Sequence, residues 1–70
     1  MDDLDRKFLD NEIKLDKITK EKRTPDPSFM VDYYRTKIAM IRAHRSNYEP
    51  YAAQEMKEYE HQAAEWEKKL

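Results

Sequence analysis

Cysteine and glycine are both absent from this sequence, and proline occurs only three times. Without cysteine there can be neither a disulfide nor a thiolate metal site, and no thiol nucleophile. Without glycine no phosphate-cradling loop of the P-loop or dinucleotide-binding type can form. Long apolar runs are missing too. No stretch approaches the roughly 18 apolar residues of a membrane span, and the acidic opening MDDLDRKFLD lacks the apolar core of a secretory signal. The expected location is the cytoplasm.

An excess of either charge is lacking as well. Charged residues make up 41% of the chain, yet the formal sum is −1, so both signs are interleaved as on solvated helix faces. Five Tyr, four Met and one Trp, with so low a net charge, argue for a packed fold rather than disorder. At 70 residues a single domain buries only about 60% of its unfolded surface. Such a core is marginal, and oligomerisation or a partner is the remaining source of support.

The prolines fall in two clusters, TPDPS (24–28) and SNYEP (46–50), which cut the chain into three segments expected to be helices over about 3–23, 27–47 and 50–70. Asp2, Asp3 and Asp5 suit the positive end of the first helix, and Lys20, Lys22 and Arg23 its negative end. Asp26 followed by Pro27 reads as an N-cap with proline at the first helical position. For the third segment, Ser46 with Glu49 fits a capping box, with Asn47 as the other candidate cap. No segment alternates with period two. The fold class is all-α: a three-helix bundle, or a helical hairpin plus an N-terminal helix, which dimerisation could complete.

A stripe of Leu4, Phe8, Asn11, Leu15, Ile18 and Lys22 runs along the first segment with four-three spacing, leaving Leu9 and Ile13 as a second, smaller apolar pair. In the third, Ala52, Met56, Tyr59, Ala63, Trp66 and Leu70 keep the same spacing. The middle segment carries two stripes on nearly opposite sides, Val31, Tyr34, Ile38, Ile41 and Tyr48 on one, Phe29, Tyr33, Met40 and Ala43 on the other. It can be buried from both sides. The second stripe is either core or a face for another chain.

Glu58-x-x-His61 has the half-site spacing of carboxylate-bridged di-metal bundles. Such a site must point inward, whereas Glu58 and His61 lie roughly 160° and 140° from the Met56 direction that centres the seam. They read as a solvated pair, and neither a metal nor any other cofactor is expected. Ser28 and Ser46 fall where caps belong, and the many carboxylates lie on charged faces. The chain is not expected to be an enzyme.

These features imply a small protein–protein interaction module, a subunit, adaptor, assembly chaperone or inhibitor, whose partner is another protein or a second copy of itself. Phe29, Tyr33 and Met40 would form the partner face, with Lys37 and His44 at its rim. The alternative is nucleic-acid binding through Arg35, Arg42 and Arg45, with tyrosines beside them. Against that stands the overall pI of about 6.1. Folding the second and third segments about residue 48 would also set Arg45 near Glu49, Arg42 near Met56 and Arg35 near Glu60, so that the charges pair across the hairpin. Dense mixed charge in so small a chain is also the manner of phage and mobile-element proteins that bind host machinery.

Overall fold

The structure, a computed structural model, describes residues 2–70. Four helices follow one another among these residues: α1 Asp3–Lys20, α2 Pro27–Ala43, the single turn α3 Arg45–Tyr48, and α4 Ala52–Glu67. None is long and apolar enough to cross a membrane. The fold is all-α, with the helices packed on one another as a small bundle.

Local chemistry sets most of the boundaries. Asp2 caps α1 by accepting the Asp5 backbone N–H at 2.9 Å, while Asp3 and Asp5 occupy the positive end of the dipole and Lys17 and Lys20 the negative end. This helix stops three residues earlier than its charge pattern suggests. Lys22 takes φ 57°, the Lys22 N–H donates to the Thr19 carbonyl and the Arg23 N–H to the Ile18 carbonyl. Those two bonds form a Schellman cap, with lysine in the left-handed position that glycine normally fills. Asp26 caps α2 as expected, its carboxylate accepting the Ser28 N–H at 2.9 Å with Pro27 opening the helix.

Beyond Ala43 the single long helix expected over 27–47 is broken. His44 leaves the helical region (φ −126°, ψ 41°), and α3 restarts for one turn before Glu49 and Pro50 turn the chain back. Ser46 and Asn47 lie inside α3, so neither caps the last helix, and no capping box forms there. Instead α4 starts after Tyr51, which makes no side-chain cap bond, and ends at Glu67.

The core is built around α2. Met30, Val31, Tyr33, Thr36, Ile38 and Ile41 are all buried, against Ile18 from α1 and Ala52 and Ala63 from α4. Both neighbours run antiparallel to α2, and α4 packs against it more extensively than α1 does. Ala52 and Ala63 present small side chains at this contact, which let opposing ridges approach. Met56, Tyr59 and Trp66 of the same four-three seam are half-buried around them, whereas Leu70 at its end is 73% exposed. The molecule measures 35 × 28 × 18 Å, so its shortest dimension is under two helix diameters of about 10–12 Å each. So thin a bundle covers α2 and leaves the backs of its flanking helices bare.

Candidate interaction surface

Each residue expected to form a free partner face lies on the side of α2 turned toward α1 and its borders. Tyr33 is 6% exposed. Its hydroxyl donates to Glu12 Oε1 at 2.9 Å, and its ring meets Phe29 at 6.1 Å and Tyr34 edge-on at 5.2 Å. Phe29 is half-buried, with the Lys14 ammonium of α1 lying 4.8 Å from its ring centre. Met40 is half-buried, and His44 Nε2 lies 3.4 Å from Asp5 Oδ1 of α1. Tyr33 is thus core, one of the two alternatives its stripe left open. Hydrophobic periodicity marks a stripe as apolar, but it cannot say which neighbour will cover it.

Lys37 is the centre of a polar cluster between the helices. Its ammonium sits 3.5 Å from Glu12 Oε1, 4.9 Å from the Tyr33 ring centre and 5.1 Å from that of Tyr59 in α4. Burial pushes the Lys37 pKa down, but the Tyr33 oxygen, Tyr59 and the Glu12 carboxylate push it up, and the net direction is up. Burial likewise raises the Tyr33 hydroxyl; Glu12 adds to the rise and Lys37 opposes it. The protonated lysine bridges two aromatic faces and a carboxylate and acts as a strut between the helices. Beside it opens a cleft of about 70 Å³ lined by Phe8, Lys37, Ile41, Tyr48 and Tyr59.

The three arginines of the alternative reading are each matched to a glutamate. Arg35 bonds Glu67, Arg42 lies 3.8 Å from Glu60, and Arg45 Nε lies 2.7 Å from Glu49 within the α3 turn. The cross-hairpin charge pairing expected from sequence is thus present in kind but displaced in register. Arg42 meets Glu60 instead of the Met56 level, and Arg35 meets Glu67 instead of Glu60. The reason is the α3 turn, which moves the point of reversal from residue 48 to the neighbourhood of Tyr51. A shallow groove between these pairs, lined by Arg35, Ile38, Ala39, Arg42 and Glu60, has carboxylate as well as guanidinium on its walls.

Glu58 and His61 are both exposed on α4, and among the described residues no group of three or more His, Cys, Asp or Glu could hold a metal ion. Asn11, the polar member of the α1 stripe, reaches Asp32 and Thr36 of α2 only through long contacts of 3.4 and 3.5 Å.

What does lie open is the back of α1. Leu9 is 47% and Ile13 60% exposed, one helical turn apart on the side away from α2. Tyr51 and Leu70 are exposed as well, but they stand at opposite ends of α4 and share no face with each other. Sequence periodicity already set Leu9 and Ile13 apart. Glu12, by contrast, gave no signal as the anchor of Tyr33 and Lys37, because a charged residue on a seam flank looks the same whether or not a buried hydroxyl awaits it. Comparison with family models, with curated proteins and with solved structures finds no match to this chain.

Proposed function

We propose that this chain is a non-catalytic protein-binding module of the cytoplasm whose contact surface is the outward face of α1, centred on Leu9 and Ile13. The observation that carries the reading is the exposure of these two side chains, adjacent on one helix, in a molecule whose second apolar stripe on α2 is already occupied internally. A branched aliphatic pair left at the surface loses the stabilisation of burial, roughly 1.5–3 kcal/mol for each side chain fully removed from water. Association recovers it. Nucleic acid is the weaker partner, since each arginine that would contact phosphate is held by a carboxylate.

The test is site-specific photo-crosslinking in cells that express the chain, with p-benzoylphenylalanine replacing Ile13 or, as the control, the exposed His61 on α4. Adducts dependent on position 13 and absent from position 61 are expected. Adducts at 61 alone, or at neither position, would overturn the assignment.

A further inference from the structure

Resting on that reading, we infer that the occupant of the outward α1 face is a second copy of this chain, docked antiparallel so that α1 packs on α1 across a two-fold axis beside position 11. The exposed residues Arg6, Leu9, Ile13, Asp16 and Lys20 follow one another in unbroken four-three steps along the back of the helix, with the N-cap Asp2 four residues before the first of them. That is the spacing of a helix-packing seam, directly opposite the one facing α2. Only its middle is apolar. What covers it must therefore satisfy two acids and two bases at fixed distances from the centre.

A reversed copy of the same helix does so. In an antiparallel pair each residue comes level with the one equally far on the other side of position 11. Leu9 then meets Ile13, Arg6 meets Asp16, and Asp2 meets Lys20, and the two-fold axis repeats every pairing. On the flank of the contact Asp3 comes near Lys17. The acidic first turn and basic last turn of α1 are thereby opposed, as are the two helix dipoles. A parallel arrangement would put Asp2 on Asp2 and Lys20 on Lys20. The like-charge exceptions are Asp10 and Glu12, each of which approaches its own copy on one flank of the axis, Glu12 being already engaged by Tyr33 and Lys37. Within one chain Lys20 already lies 3.1 Å from Asp16, both well exposed, so the dimer exchanges a solvated local pair for partners across the axis.

Two apolar residues per subunit place the contact at the low end of specific interfaces, so dissociation constants on the order of 100 µM are expected. Sedimentation of the full chain from micromolar to millimolar concentration, at low salt, should show the mass doubling over that range. Arg6→Asp and Asp16→Arg should each weaken the dimer at least about tenfold, because each sets like charges together at both ends of the contact. Mixing these two variants restores opposite charge at both ends, and a heterodimer should reappear. Asp10→Asn should tighten the wild-type dimer.

A wild type that stays monomeric throughout, or a mixture no stronger than its components, overturns self-association. In either case a foreign adduct at position 13 in the crosslinking experiment would leave the protein-binding reading standing. No adduct at position 13 would remove both.

Discussion

The two sides of α2 are held by different physics. Toward α4 the contact is chiefly apolar, with Ala52 and Ala63 the buried side chains that α4 supplies, while Lys37 meets the Tyr59 ring and the arginine–glutamate pairs sit at the rim. Toward α1 half-buried Leu4, Phe8 and Leu15 and buried Ile18 are joined by a set of polar links, Tyr33 to Glu12, Lys37 to Glu12, Lys7 to Asp32 at 2.9 Å and His44 to Asp5. Apolar contact is insensitive to angle and salt, whereas a polar contact depends on geometry and protonation. The α2–α4 hairpin is therefore the frame of the molecule, and α1 is the element most easily loosened from it.

The largest effect should come from the frame. Ile41 is 1% exposed, and Ile41→Ala should cost about 2–5 kcal/mol. A 70-residue core commands only about 3–5 kcal/mol in total, so thermal unfolding by circular dichroism should show most of the cooperative transition lost. If this variant instead melted α1 alone, the division into frame and attachment would be reversed.

Next in size is the α1 contact. Tyr33→Phe removes the donor to Glu12 and should cost about 1–2 kcal/mol, seen as faster amide exchange in α1 with α4 little changed. Alkaline pH probes the same link. The folded pKa of Tyr33 lies above its ordinary 10.0 and that of Lys37 above its ordinary 10.5. The stability both groups contribute is fully present below those ordinary values and is lost as pH rises through the raised, folded ones. Exchange in α1 should thus accelerate in strong alkali before exchange in α4 does, and Tyr33→Phe should blunt that difference. Simultaneous loosening of both helices would make the polar cluster a mere ornament of a single cooperative unit.

A smaller gain is expected at the end of α1. Lys22 occupies the left-handed region, and Lys22→Gly should stabilise the cap by about 0.5–1 kcal/mol, raising the melting midpoint by a few degrees. Least of all should come from the rim of the frame. Arg35→Ala and Arg42→Ala remove exposed charge pairs and should each cost less than about 1 kcal/mol in denaturant titrations, an effect that high salt diminishes further.

Much of this architecture was legible residue by residue. Asp26-Pro27 announces a helix start because side-chain capping is a local event, complete within three residues. The four-three seams of the outer helices are legible for the same reason that they pack: a stripe at helical spacing has no use except contact. Less legible were the terminations. Nothing at Lys22 signals a left-handed cap, since lysine adopts that conformation only under the demand of the surrounding chain. The His44 break and the α3 turn were hidden because Arg45, Ser46 and Asn47 are compatible with either a continuing helix or a turn.

By itself, then, the sequence determined that the chain is helical, where α2 begins, which faces are apolar, and that these 70 residues hold neither a thiol nor a glycine. These follow from local propensity and from composition, which act over a few residues at a time. Only the tertiary structure decided that α1 covers the Tyr33 stripe, that Arg35, Arg42 and Arg45 each meet a glutamate, and that Leu9 and Ile13 are left exposed side by side. Those outcomes depend on which helix covers which face and in what register. A shift of one turn at Tyr51 changes every pairing along the hairpin, and no window of sequence contains that information.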